Sequence, residues 1–209
     1  MLQNKLSNYD IILASASPRR RQLLEEIGIK FTVQKVDVEE NYPIDYPVEK
    51  VAQYISEVKA ATFNAREIKR NTLIITADTV VALGDKILGK PKDTEHAFQI
   101  LRELSGHKHQ VITGVTLRTI SKRHSFSVRT DVYFKRLTDE EINYYIKNFM
   151  PMDKAGAYGI QEWIGHIAID KIEGSYFNVM GLPTHRLYEE LDKFISDDQI
   201  SKPKLKFDL

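Results

Sequence analysis

The chain of 209 residues has no cysteine. That excludes a disulfide framework, thiolate-ligated zinc and thiol nucleophiles, and it suits a reducing compartment. The opening MLQNKLSNYD lacks the apolar run of a secretory leader, and no segment approaches the ~18 consecutive apolar residues of a membrane span. A cytoplasmic protein with no membrane partner is therefore expected. An excess of either charge is also missing: 30 Lys and Arg against 29 Asp and Glu leave +1. A general nucleic-acid binder would normally be basic over a face, so no nucleic-acid partner is expected. The six histidines form no metal set, since His107 and His109 have no third ligand at useful spacing. There is no GxxxxGK[ST], GxGxxG or GxSxG. Internal repeats and interdomain linkers are absent too.

The 42% of hydrophobic residues is that of a globular fold. One domain over 1–209 is expected, with its core at about 10–195 and tails at 1–9 and 201–209. Asp10 to Ala14 reads as a buried strand. Ser17 is a natural helix N-cap, Pro18 suits the first helical position, and Gly28 supplies the stop. A strand is predicted at 31–36. A helix is predicted over 48–70, with Val51, Ile55, Val58 and Thr62 on one face. Leu73 to Thr76 is a short strand, followed by ADTVV and then a Gly84-Asp85 hairpin into 86–88. Asp93 caps a helix carrying Ala97, Ile100, Leu101 and Leu104. Two alternating runs follow, one with Val111, Thr113, Val115 and Leu117 on one side, the other at 126–134. They are predicted to pair antiparallel. Thr138 and Glu141 have the spacing of a capping box. Strands are predicted at 164–169 and 176–179, and a last helix from Thr184. Crossovers mixed with hairpins define an α/β fold with a mixed β-sheet and flanking helices.

Five stretches could carry chemistry. SASPRR (15–20) stands at a helix N-terminus, where free N–H groups and the helix dipole favour an anion. Ser15 and Ser17 add hydroxyls, and Arg19 and Arg20 add guanidinium forks suited to phosphate. An ordinary capped helix with surface arginines fits equally. Asp78, after a hydrophobic strand, could hold a divalent metal or take a proton from water, or simply end a strand. Glu39 and Glu40 could add a second carboxylate, or lie in a solvated acidic loop. Lys90, between Gly89 and Pro91, reads as a placed phosphate contact or a surface lysine. DKAGAYGIQ (153–161) lets backbone approach a ligand closely, and the Gln161 amide could read a base edge. A packed glycine turn is the alternative.

In this order the pieces resemble the Maf family of nucleoside triphosphate pyrophosphatases. LASASPRR, DVEE, Lys59-Ala60, ADTVV, LGKP, LSGHKHQVITGV, PMDKAGAYGIQ, the Lys171–Gly174 turn and NVMGLP all fall in family order, over about residues 10–195. The resemblance implies hydrolysis of a nucleoside triphosphate to monophosphate and pyrophosphate, with a divalent cation, Mg²⁺ first and Mn²⁺ second. It implies the inosine-triphosphatase-like fold, an elongated mixed sheet with a cleft between two lobes. Asp78 matches the proton acceptor. Arg19, Thr79 and Gln161 match the specificity positions of the pyrimidine branch, and the GIQ ending at 159–161 points to dTTP and UTP rather than 7-methyl-GTP. Ser15, Arg20, Lys59 and Lys90 match phosphate-binding positions. Glu40, with Glu39 beside it, matches the acidic position that with Asp78 would hold metal. Glu162 and Trp163 depart from the common glycine and shorter turn, and could reshape the base pocket. A homodimer is compatible with all of this. The family name derives from an effect on septum formation, so a second reading is a nucleotide-binding regulator of cell division with incidental hydrolysis.

Overall fold

The computed structural model describes residues 1–66 and 68–200. The chain order is α1 (Leu2–Leu6), β1 (Asp10–Leu13), α2 (Pro18–Glu26), β2 (Thr32–Val33), α3 (Val48–Ala61), β3 (Thr72–Leu83) and β4 (Lys86–Leu88). There follow α4 (Thr94–Leu104), β5 (Lys108–Arg118), β6 (Arg123–Phe134), α5 (Asp139–Phe149), α6 (Trp163–Ala168), β7 (Ile169–Glu173), α7 (Tyr176–Met180) and α8 (Thr184–Ile200). Seven strands form one mixed sheet, in the order β2-β1-β3-β5-β6-β7, with β4 pairing only with β3. β1 runs parallel to β2 and β3, and the remaining pairs are antiparallel.

Local chemistry fixes most boundaries as expected. Ser17 Oγ accepts from the Arg20 N–H at the start of α2. Asp93 caps α4, and Thr138 with Glu141 closes a reciprocal capping box on α5.

The sheet is sandwiched. Even-numbered residues of β3 face α3: Val80 packs with Val51, Ala52, Ile55 and Ile112. Odd-numbered residues Leu73, Ile75, Ala77 and Val81 join the larger core with α2, α4, α5 and α8. α3 lies unusually close to the sheet. A Cβ on Gly114 would stand 2.3 Å from the Ala52 carbonyl carbon and the Gln53 nitrogen. Two buried hydrogen bonds pin the helix there: Thr76 Oγ1 donates to the Ser56 carbonyl at 2.7 Å, and Ser56 Oγ meets Thr116 Oγ1 at 2.8 Å.

Several expectations need correction. The first nine residues are no tail: Leu2 and Leu6 are buried, and Lys5 Nζ pairs with Asp192 of α8 at 2.6 Å. The predicted tail at 201–209 lies outside the described residues. β2 is two residues long rather than six. α3 stops at Ala61, where Thr62 Oγ1 turns back to the Lys59 carbonyl and Asn64 Oδ1 accepts from the Arg66 N–H. Its buried face is Val51, Ala52, Ile55, Ser56, Lys59 and Ala60; Val58 is half-buried and Thr62 exposed. Residues 163–168 and 176–180 are helices, not strands. Ser175 Oγ caps α7 by accepting from the Asn178 N–H, and Gly181 ends it at φ 113°. In α6, Ile164 and Ala168 sit four apart on one buried stripe, a helical spacing.

Candidate active site

β3 is longer than its apolar pattern suggested, and this creates the site. β1 pairs with it only through Ile75, the last hydrogen bond running from Ala14 N–H to the Ile75 carbonyl. On the same edge β4 pairs only from Val81 onward. Among the described residues no strand covers 76–80 on that edge, although β5 covers the other edge throughout. Asp78 is therefore not the strand-end residue expected from sequence. It lies in mid-strand, beside a gap in the sheet.

A cavity of about 620 Å³ opens at the gap, within the ~300–1,000 Å³ usual for small-molecule sites. Ser15, Arg19, Arg20, Glu40, Lys59, Asp78, Thr79, Lys90 and Gln161 all line it. Glu39 does not; its Oε2 accepts from the Asn41 side chain instead. Neither Glu162 nor Trp163 lines it.

The α3 side of the gap holds the acidic and basic pair. Asp78 is 6% exposed and Lys59 9%. Lys59 Nζ donates to Asp78 Oδ1 at 2.6 Å and to Glu40 Oε1 at 2.9 Å. Lys90 reaches Glu40 Oε2 at 3.5 Å from the exposed rim. Burial raises the pKa of Asp78; Lys59 and Arg20 oppose that rise without cancelling it. For Glu40, burial acts upward too, but Lys59 and Lys90 together bring it below the ordinary carboxylate value.

The opposite side holds Arg20. Its Nε donates to the Gly181 carbonyl at 2.8 Å, Nη1 to Ser15 Oγ at 3.4 Å and Nη2 to Thr79 Oγ1 at 3.0 Å. Ser15 Oγ also accepts from the Ser17 N–H at 3.2 Å. Both lone pairs of that hydroxyl are thus engaged, which leaves it only a proton to give, and Ser15 lines the cavity. This donor stands beside the N-terminus of α2, which itself favours an anion. Arg19 Nη1 lies 3.6 Å from Asp153 Oδ2.

Behind the Gly159–Gln161 turn is a buried brace that sequence reasoning missed. Lys154 Nζ meets Asp153 Oδ1 at 2.8 Å and Glu162 Oε1 at 3.1 Å. The Tyr145 hydroxyl donates to Glu162 Oε2 and accepts from the Gly159 N–H at 3.0 Å. Glu162 therefore supports the turn from below. Thr113 was missed as well, being read as one more position on an apolar face; it is fully buried against Thr79. Asp37, a cavity-lining carboxylate, carried no distinguishing signal in its acidic loop.

The donor set can be tested for a divalent cation. Asp78 and Glu40 both line the cavity, each with one oxygen on the Lys59 ammonium and its other oxygen not bonded to it. Hard oxygen donors of this kind suit Mg²⁺, which commonly takes one or two carboxylates and completes its shell with water and phosphate. Among the described residues no group of three His, Cys, Asp or Glu is placed to hold a metal ion by itself. The residues fit a cation that arrives with a phosphate ligand.

Fold and site together define an α/β protein with a cavity lined by both signs of charge at a gap in its sheet. The family model described as "Maf-like protein" matches residues 10–194, and the chain belongs to that family. It is 53% identical over 194 residues to a dTTP/UTP pyrophosphatase of Phocaeicola vulgatus, covering 92% of this chain and 100% of the relative. A dTTP/UTP pyrophosphatase of Porphyromonas gingivalis is 49% identical over 196 residues, covering 93% and 98%. Among solved structures, a nucleoside-triphosphatase/dITP/XTP pyrophosphatase of Mycobacterium abscessus aligns with a TM-score of 0.41 at 14% identity, over 61% of this chain and 75% of that one. The Ham1 protein of Staphylococcus aureus aligns with a TM-score of 0.41 at 17% identity, over 60% and 71%. No helix among the described residues is long and apolar enough to cross a membrane.

Proposed function

We propose that the chain is a nucleoside triphosphate pyrophosphatase that hydrolyses dTTP and UTP to the monophosphate and pyrophosphate. The observation that carries the mechanism is the buried Asp78 carboxylate, held by Lys59 at the sheet gap and facing the cavity of Ser15, Arg20 and the α2 N-terminus. Burial makes Asp78 a better base than a surface carboxylate, while Lys59 holds one of its oxygens in place.

In this reading the triphosphate lies along the α2 N-terminus. Ser15 donates its free proton to a phosphate oxygen; Arg20, Lys59 and Lys90 offset the charge. Asp78 orients a water and takes its proton. The water oxygen bonds to the α-phosphorus, the bond from that phosphorus to the bridging oxygen breaks, and pyrophosphate leaves with the oxygen. Most of the rate enhancement comes from positioning and charge stabilisation. Asp78 and Glu40 would hold a divalent cation, Mg²⁺ in preference to Mn²⁺, whose chemistry when bound is to offset phosphate charge and so lower its repulsion of the incoming water. Arg19, Thr79 and Gln161 select the base. The partner is the nucleotide, with no nucleic acid; cytoplasmic location and a homodimer belong to the same proposal.

The test is pyrophosphate release from dTTP, UTP, CTP, GTP and 7-methyl-GTP, with Mg²⁺ and with chelator. Cation-dependent release from dTTP and UTP is expected, with the monophosphate as co-product. Asp78→Asn should remain folded by circular dichroism and lose most turnover. A folded Asp78→Asn protein with near-normal rate removes Asp78 from the base role.

A further inference from the structure

We propose that Thr113 is a positioning residue that fixes the Thr79 hydroxyl as an acceptor toward the cavity, so that Thr79 takes the N3–H of uracil or thymine. This rests on the reading of the cavity as a pyrimidine nucleotide site.

The argument is a count of protons. Thr79 and Thr113 are direct cross-strand partners on β3 and β5. Their Oγ1 atoms are 2.9 Å apart, so one proton lies between them. Thr113 Oγ1 is also 3.0 Å from the carbonyl oxygen of Asn178. A carbonyl can only accept, and two oxygens at that distance with no proton between them repel. Thr113 therefore spends its single proton on Asn178, and the proton between the two threonines belongs to Thr79. That leaves Thr79 with none to give a ligand. Arg20 Nη2 donates to Thr79 Oγ1 at 3.0 Å and occupies one of its lone pairs. One lone pair remains, and Thr79 is half-buried and lines the cavity.

The arrangement is held rigidly. Thr113 is fully buried, and the Asn178 carbonyl is fixed from its other side by the Gly181 N–H at 3.0 Å. Asn178 is itself fully buried, its Nδ2 donating to the Val111 carbonyl and to Thr130 Oγ1, each at 3.0 Å. The hydroxyl of Thr79 cannot turn over without breaking a buried hydrogen bond.

The consequence concerns base choice. Uracil and thymine carry a donor at N3, whereas cytosine carries an acceptor there. A hydroxyl free to rotate would serve either. One locked as an acceptor pairs with the first two and sets two lone pairs against each other in the third. A site that leaves polar groups mismatched rejects a ligand more strongly than one that lacks a contact.

The experiment measures kcat/KM for UTP, dTTP and CTP with wild type, Thr113→Val and Thr113→Ser. Valine keeps the shape and releases the Thr79 proton, so the CTP:UTP ratio should rise at least fivefold. Serine keeps the hydroxyl and should keep the wild-type ratio. An unchanged ratio in folded Thr113→Val, or a parallel fall for all three nucleotides, overturns the proposal. Wild-type turnover of 3-methyl-UTP is a second measurement, independent of the variants' folding. It should be far below that of UTP, and turnover at the UTP rate overturns the proposal. If wild type releases no pyrophosphate from UTP or dTTP, the functional reading fails and this one with it. Normal UTP turnover with an unchanged ratio removes this one alone.

Discussion

Gly114→Ala should loosen the whole α3 side of the site. The added Cβ would stand 2.3 Å from backbone atoms of Ala52 and Gln53, where ordinary contact begins near 3.4 Å. Neither side can yield by rotating a side chain. Gly114 is held by the β3–β5 and β5–β6 ladders, and the atoms it meets belong to the α3 backbone. The helix must withdraw by about 1 Å. Overpacking of this kind costs ~1–3 kcal/mol, and a backbone contact belongs at the upper end. At ~2–4 °C per kcal/mol for a chain of this size, the melting temperature should fall by roughly 6–12 °C. The same withdrawal draws Lys59 Nζ away from Asp78, from which it is now 2.6 Å distant. Misplacement by ~1 Å in a catalytic constellation can cost ~100-fold in rate. Urea unfolding and pyrophosphate release on one preparation test both links. Stability within ~0.5 kcal/mol of wild type would refute the packing argument. A destabilised variant with unchanged kcat would refute the claim that α3 placement sets the geometry of Asp78.

Three further outcomes follow from the same contacts. Lys59→Met leaves the buried Asp78 without its closest cation and should cost ~3 kcal/mol in urea unfolding at neutral pH, since breaking a buried pair typically costs ~3–5; Lys59→Met with Asp78→Asn should recover most of it, and a double variant no more stable than the single one would sink this. Gln161→Ala should narrow the preference for dTTP and UTP over GTP by about tenfold, as one hydrogen bond to a matched base is worth ~1–3 kcal/mol; a parallel fall in all rates would make Gln161 structural. His109 lies edge-on between Phe134 and Tyr158, its Nε2 is 2.8 Å from the Tyr158 hydroxyl, and burial pushes its pKa down to about 4, against weaker upward pulls from the His107 backbone and Asp131. Because the folded value is depressed, this group's contribution is complete above pH ~6.5 and is lost as pH falls toward 4, by ~3 kcal/mol in total; His109→Gln should flatten the decline in unfolding free energy across that window, and an identical decline in both proteins would exclude His109 as its source.

What could be read in the sequence was whatever local chemistry decides. The Ser17 cap, the Asp93 cap, the Thr138–Glu141 box and the Gly84-Asp85 hairpin are each settled within a few residues, and each stands where expected. The spacing over 48–70 points to a face of Val51, Ile55, Val58 and Thr62, whereas two of the inward positions are Ser56 and Lys59. A charge on the buried stripe of a helix looks like noise to a hydrophobicity count, yet it holds Asp78. Short apolar runs failed for a different reason. Residues 164–169 and 176–179 fit strand and helix alike, and only the flanking Ser175 and Gly181 carried a signal for the second. Thr113 was placed on the correct face, but its partners come from β3 and α7, and no spacing rule links them.

The gap in the sheet explains why adjacent residues can take unlike roles. Successive side chains of a strand point to opposite faces, so in a fully paired sheet Asp78 and Thr79 could not touch one ligand. Here β1 stops at Ile75 and β4 begins at Val81, so the edge between them is open to both faces. Asp78 turns toward Lys59 on α3; Thr79 turns toward Arg20 on α2 and Thr113 on β5. On the proposed reading, a nucleotide lying across that edge would meet a carboxylate from one face and a fixed hydroxyl from the other, with Arg20 bonded to both Ser15 and Thr79. Closing the gap would bury both side chains on separate sides and leave no site. On that reading the length of β1 relative to β3 would matter to function as much as the identity of Asp78 does.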